Sequence, residues 1–134
     1  MTLFFKLNDT FQQTFTVSGK VYEGFIDIFN DRNPLHTDDG FAQNKGFQKK
    51  VMQGNILNGF LSFFIGECLP TKNVIIHSQE IQYKLPVYQD DELDFEATVT
   101  GIHESVNTVE FSFRFFNSGK KIVSKGKIQI GLLL

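Results

Sequence analysis

Gly54-Asn-Ile-Leu-Asn-Gly-Phe-Leu-Ser-Phe-Phe-Ile-Gly-Glu-Cys-Leu69, closed by Pro70, is the stretch that decides the architecture. Apolar residues fall on nearly every face of a helix drawn through it, which predicts a helix buried on most sides. Three to four turns suit a core helix and fall short of the ~20 apolar residues of a membrane span. Gly59, Ser62 and Gly66 recur at spacings of three and four. They are expected to let a sheet or another backbone approach closely.

Outward from this helix the period changes. After Pro70, apolar residues alternate with polar ones at Ile81, Tyr83 and Leu85, at Leu93, Phe95, Ala97 and Val99, and at Val109, Phe111, Phe113 and Phe115. The run Ile122–Leu132 continues with Ile128, Ile130 and Leu132. Gln89-Asp90-Asp91, His103-Glu104-Ser105 and Asn117-Ser118-Gly119 are turn signals between these runs. Short turns between alternating strands predict an antiparallel sheet with one buried face. On the amino-terminal side, Leu3–Leu7 and Thr10–Val17 each read as a short strand. Val21, Phe25, Ile28 and Phe29 lie on one face of a helix that Ser18 caps and Pro34 ends. Asn30–Asp39 then reads as a polar loop, and Gly40–Lys50 as holding a short helix with Phe41 and Phe47 pointing inward. A long apolar helix with bent antiparallel strands predicts an α+β hot-dog fold, in which the sheet wraps the helix. A generic α+β sandwich is the alternative.

The chain has 134 residues, the size of one domain with one core, so residues 1–134 are expected to form a single domain. A formal charge of -2 gives no broad electrostatic footprint for nucleic acid. Cys68 is the single cysteine, which excludes an internal disulfide and a cysteine-based zinc site. The opening Met1-Thr-Leu-Phe-Phe-Lys-Leu is interrupted too soon for a signal peptide, so a cytoplasmic protein is expected. Sixteen Phe and no Trp imply a very apolar core, a partner-covered surface or an apolar pocket.

The loop Asp31–His36 holds the candidate chemistry. Pro34 forbids a continuous helix, so Asp31 and His36 are free to turn toward one point. A carboxylate and an imidazole aimed at one water form an acid–base pair. The plain alternative is a helix-capping aspartate and a surface histidine. Gly54 opens the central helix, where free amides and the positive dipole end can hold a carbonyl oxygen that becomes negative. It also reads simply as the turn into that helix.

Phe29-Asn-Asp31-Arg-Asn33-Pro34-Leu-His36-Thr-Asp38 resembles the signature of the R-specific enoyl-CoA hydratases, the MaoC-like or hydratase 2 family. That pattern is aspartate, one residue, Asn-Pro, an aliphatic residue and histidine, with an acid two residues later. Val51-Met-Gln53-Gly54 is similar to the family's segment before the central helix. Gln82-Tyr-Lys-Leu-Pro86-Val87-Tyr-Gln-Asp-Asp91-Glu-Leu resembles its strand ending in Pro-Val and a charged turn. The likeness covers nearly the whole chain, whose length is that of the short, single hot-dog members.

The resemblance implies that Asp31 and His36 are the catalytic pair and that the Gly54 N–H binds a thioester carbonyl. It implies supporting roles for Asn33, which fixes the loop, and for Ser62. It favours the catalytic reading over the plain one. The sequence departs from the family at Gln53, where histidine is usual, and at Asn30 and Asp90, where glycine is common. The Gln53 change puts the hydrogen bonding around the site in question. The implied reaction is reversible syn addition of water to a trans-2-enoyl thioester, carried on CoA or on an acyl carrier protein, with no cofactor and no metal. Phe60, Phe63 and Phe64 are candidates to line an acyl tunnel, beside a plain core role for each. Lys45, Lys49 and Lys50 are candidates for the carrier phosphates, beside a solvated face. Rival readings are a 3-hydroxyacyl-carrier-protein dehydratase, a hot-dog thioesterase using Glu67, and a non-catalytic acyl-binding subunit. His36, Asp38 and Asp39 read as a solvated loop rather than a metal site, and Cys68 as an inert thiol. A homodimer is expected, because one such layer leaves a helix side and a sheet edge uncovered.

Overall fold

A computed structural model describes residues 4–134 of the chain. Strand β1 (Thr10–Thr16) leads through helix α1 (Gly19–Phe29), the one-turn helix α2 (Pro34–Thr37) and helix α3 (Asp39–Asn44) to helix α4 (Asn55–Glu67). Strands β2 (Val74–Tyr83), β3 (Glu92–His103), β4 (Thr108–Phe116) and β5 (Ile122–Leu132) follow. They form one five-stranded sheet in the order β1-β3-β4-β5-β2, antiparallel throughout. This is the hot-dog arrangement, with the sheet curved over α4.

The alternating strands do what their period predicts. Registers Phe95–Phe115, Ala97–Phe113 and Val99–Phe111 place the buried residues of β3 and β4 side by side on one face. Val109–Ile130 and Phe111–Ile128 continue that face into β5. Register shifts at Ile76/Ser78, Val99/Gly101 and Phe115/Phe116 interrupt the ladders. Such bulges bend and twist a strand, which a sheet needs in order to curve around a helix. Gly126 marks the tightest approach: a Cβ there would overlap the Glu80 carbonyl of β2.

Against the sheet lie Ile56, Leu57, Leu61, Phe64 and Ile65 of α4, all buried. The Phe64 ring sits 4.8 Å from Phe95, 5.8 Å from Phe11 and 6.0 Å from Phe111, centroid to centroid. Much of the phenylalanine content is therefore this aromatic core, at the spacings aromatic pairs favour.

Several local expectations change. Helix α4 is not buried on most sides: Gly59, Ser62, Phe63 and Gly66 are exposed, because the sheet covers one side only. A Cβ at Gly59 or Gly66 would meet nothing within 4 Å, so no backbone among the described residues approaches there. Helix α1 ends at Asn30, in the left-handed conformation with φ 61°, not at Pro34. Pro34 instead starts α2, where its fixed φ and missing N–H suit the first helical position. Thr10–Thr16 is a strand, but residues 4–7 are not, and Leu3 lies outside the described residues. In α3 the inward residue is Ala42, while Phe41 is partly exposed; Phe47, beyond the helix, is half-buried. Tyr83 and Leu85 are exposed because β2 is an edge strand and Leu85 lies past its end. Ser18 caps α1 as expected, its Oγ accepting from the Val21 N–H at 3.2 Å.

Candidate active site

Two short-range devices place Asp31 and His36. Asn30 stops α1 and turns the chain, and Asp31 follows it. Asn33 then caps α2, its Oδ1 accepting from the Leu35 N–H at 3.0 Å, and its own N–H reaches Asp31 Oδ1 at 3.4 Å. Thr37 Oγ1 donates to the Arg32 and Asn33 carbonyls, tightening the same turn. His36 rides on α2, with its main-chain carbonyl accepting from the Tyr22 hydroxyl at 2.6 Å.

The imidazole orientation is fixed by Val51. His36 Nδ1 lies 2.7 Å from the Val51 carbonyl, which can only accept, so Nδ1 carries the proton. In the neutral ring Nε2 is then the acceptor, and it faces Asp31 Oδ2 at 3.9 Å. That gap is too long for a direct hydrogen bond. It suits one water held about 2.8 Å from each atom, with roughly 90° between the two bonds. The imidazole is mostly buried and the carboxylate about half exposed, at 18% and 45%.

A cavity of about 530 Å³ opens beside the pair and runs past Phe47, Val51, Gln53 and Gly54 to Tyr83 and Val87. The first bonds of the α4 region are Ile56 N–H to the Gln53 carbonyl at 3.1 Å and Leu57 N–H to the Gly54 carbonyl at 3.0 Å. The amides of Gly54 and Asn55 precede that ladder, and both residues line the cavity. Gly54 has helical angles and needs no unusual conformation. What excludes a side chain is Tyr83, whose Cε1 would stand 2.8 Å from a Cβ. Burial pushes the Tyr83 hydroxyl up from its usual value, against the opposing bond from Asn58, so the phenol stays neutral. A larger cavity, about 970 Å³ and mostly apolar, lies between α1 and α4. It shares Asp31, Asn55 and Ile56 with the first and continues along Val21, Phe25, Ile28 and Phe60.

The MaoC like domain model matches residues 8–115. The chain belongs to the MaoC-like domain family. It is 32% identical over 108 residues to the (R)-specific enoyl-CoA hydratase of Aeromonas caviae, a match spanning 81% of each chain. It is 25% identical over 120 residues to the mitochondrial 3-hydroxyacyl-[acyl-carrier-protein] dehydratase of Arabidopsis thaliana, covering 88% of this chain and 71% of that one. The solved structure of an (R)-hydratase from Aeromonas caviae superimposes with a TM-score of 0.87 at 26% identity, over 96% of this chain and 97% of the other.

Within this MaoC-like domain, Asp31, His36 and Gly54 are brought to one cavity, and Asn33 caps the turn between the first two. Ser62 is not brought there: it is exposed on α4 and lines neither cavity. The three phenylalanines part company. Phe60 lines the apolar cavity and stacks on Phe15 at 4.5 Å. Phe63 is 47% exposed, and Phe64 is core. Around α4, Phe60 stands about 60° from Phe63 and about 40° from Phe64, so the three fall within about 100° at the boundary of cavity, solvent and core.

Glu67 pairs with Lys72 at 2.6 Å on the surface and lines neither cavity. Asp38 and Asp39 are occupied by main-chain donors, Phe41 N–H at 3.2 Å and Lys50 N–H at 2.9 Å. Lys45, Lys49 and Lys50 lie over the rings of Phe41, Tyr88 and Tyr22. Burial raises the Cys68 thiol above its usual value, with Lys72 opposing and Glu67 reinforcing, which disfavours the reactive thiolate. Two residues at the site stood out less from sequence. Tyr83 reads there as an inward strand residue. Gln53 reads only as a departure, its one signal being a polar residue directly before Gly54. No helix among the described residues is long and apolar enough to cross a membrane.

Proposed function

We propose that this chain is an (R)-specific enoyl thioester hydratase, working equally as a (3R)-hydroxyacyl dehydratase in reverse. The observation that carries the reading is the 3.9 Å pairing of His36 Nε2 with Asp31 Oδ2 on the wall of a cavity that also exposes the first amides of the α4 region. The thioester carbonyl of a trans-2-enoyl substrate accepts from the Gly54 N–H. Charge that grows on that oxygen as the enolate forms is stabilised by the amide and by the positive end of α4. A water donates to both Asp31 and His36. Its oxygen bonds to C3, one of its protons passes to the pair, and the pair returns a proton to C2 on the same face. Elimination reverses each step. Asn33 supports the pair by fixing the turn.

The acyl chain lies in the apolar cavity beyond Asp31, along Phe60, while Lys45, Lys49 and Lys50 offer positive charge for a carrier phosphate. CoA is the carrier in this reading, supported by the 32% identical hydratase. The Arabidopsis relative, named for an acyl-carrier-protein substrate, is the reason to test both carriers. The functional unit is a homodimer. Ile28, Phe29 and Phe63 are 75%, 67% and 47% exposed, and β2 is a free sheet edge. An isologous pair covers both.

The test is hydration of crotonyl-CoA, followed by loss of enoyl absorbance, with chiral analysis of the product. R product from the wild type, and collapse of the rate in Asp31→Asn and His36→Gln, are expected. Failure with short and long enoyl chains on both carriers overturns the reading. A fully active monomer in sedimentation refutes the dimer.

A further inference from the structure

Gln53 is 3% exposed, which is unusual for an uncharged amide with so few partners. Its Nε2 donates to the main-chain carbonyl of Asp31 at 3.2 Å, across 22 residues of sequence. Its Oε1 is buried and has no hydrogen-bond partner among the described residues. An orphaned acceptor in a folded interior calls for an explanation. Turning the amide over would set Oε1 against the Asp31 carbonyl, acceptor against acceptor. The bond to Asp31 therefore fixes the amide orientation and leaves Oε1 without a donor.

The rest of the segment shows what that bond achieves. Val51 holds the His36 ring through its carbonyl, and its N–H donates to the Leu35 carbonyl at 2.9 Å. Met52 N–H is anchored on the Val87 carbonyl at 2.8 Å. Gln53 holds Asp31, its own carbonyl accepts the Ile56 N–H, and Gly54 comes next. Three consecutive residues thus tie the imidazole, the Asp31 main chain and the first amides of the α4 region to one length of chain. Among the described residues Asp31 has no other tie of that kind. Its carboxylate is about half exposed, and its remaining bond is local, to the Asn33 N–H.

We propose that Gln53 is a positioning residue for the hydration reaction. Its amide sets where the Asp31 main chain stands, and hence the spacing of the carboxylate from both His36 Nε2 and the Gly54 amide. This rests on the hydratase reading of the same site. Gln53 acts through Asp31 and touches no reacting atom.

The test is steady-state kinetics on an enoyl-CoA, with thermal melts, for Gln53→Met and Gln53→His. Methionine fills similar space, gives up the donor and also removes the orphaned acceptor, so the melting temperature should move little. A carboxylate misplaced by a fraction of an ångström should lower kcat by about 10- to 100-fold. KM should stay within about twofold, because Gln53 touches no substrate atom and the Gly54 amide that binds the ground-state carbonyl is kept. Histidine restores a ring N–H donor and should recover most of the lost kcat. Wild-type kcat in Gln53→Met overturns the proposal. So does a loss in which kcat, KM and melting temperature all fall together and histidine rescues nothing. A wild type inactive on every enoyl thioester overturns the hydratase reading and this role with it, whereas an active wild type with unaffected variants overturns this role alone.

Discussion

Gly54→Ala separates catalysis from stability, because it adds one methyl and keeps the amide N–H. The angles at Gly54, φ −58° and ψ −34°, are ordinary for alanine. At compatible angles alanine gains roughly 0.4–1 kcal/mol over glycine by restricting the unfolded chain. The obstacle is Tyr83, which supplies all three nearest atoms: 2.8, 3.0 and 3.2 Å from the new Cβ, where ordinary contact begins at 3.4 Å. The Tyr83 ring is 50% exposed, so it can swing away by about half an ångström. Doing so strains the bond that its hydroxyl accepts from Asn58 at 3.2 Å, worth about 0.5–1.5 kcal/mol. The two terms nearly cancel, so the melting temperature should change by no more than about 4 °C. Activity is another matter. The same half-ångström clash is shared with the main chain, and since a misplacement of 1 Å can cost about 100-fold, the share that moves the Gly54 amide should cost up to about 10-fold in kcat/KM, or about 1.4 kcal/mol. Enoyl-CoA hydration rates and thermal melts on the same preparations measure both. Adding Tyr83→Ala removes the obstacle and should return most of the rate. Full activity in Gly54→Ala, or a double variant no better than the single one, would show that the carbonyl does not sit on this amide.

Asp31→Asn and His36→Gln should each lower kcat by about 10²–10⁴-fold. Asp31→Asn should leave thermal stability within about 0.5 kcal/mol, since the carboxylate is half exposed; loss of fold in a melt would speak against a purely chemical role. Phe111→Ala should destabilise by about 3–5 kcal/mol in urea unfolding, because Phe111 is fully buried with Phe5, Phe11 and Phe64 rings around it. Glu67→Ala should leave hydration unchanged and cost less than about 1 kcal/mol, as its ion pair with Lys72 is exposed; a lost thioesterase activity would revive Glu67 as a catalytic carboxylate.

The strands were legible because their reporters are local. Val109, Phe111, Phe113 and Phe115 alternate, and alternation alone sends them to one face of a sheet. What alternation does not carry is whether a strand lies at the centre or at the edge. Ile81, Tyr83 and Leu85 alternate just as well, yet they end up half-buried or exposed because β2 has a neighbour on one side only. Helix α4 misleads for a related reason. A helix apolar all round is expected to be covered all round, and one chain supplies a cover for one side. The excess hydrophobicity at Phe63 then belongs to the side that the sheet leaves open. Helix ends behave the same way at finer scale. Pro34 permits two positions, just after one helix or first in the next, and the left-handed turn at Asn30 decides between them.

The candidate site divides along the same line between local and distant causes. Asp31, Asn33 and His36 lie within one turn-and-helix segment, so a short motif can report all three, and Gly54 is marked by the start of a helix. Ser62 and the three phenylalanines depend on which way α4 faces, and there a motif says little: Phe60 meets the apolar cavity, Phe64 the core, Phe63 and Ser62 the solvent. Gln53 is the least legible of all. Nothing in Met52-Gln53-Gly54 announces a bond to a carbonyl 22 residues earlier. That bond exists only because the Val51–Gly54 segment runs from the His36 ring, past Asp31, into α4. On the reading proposed above, the chemistry of the site falls to residues a motif can find, and its geometry to a residue that only the fold can find. A substitution at Gln53 is therefore the one most able to leave the motif intact and the enzyme slow.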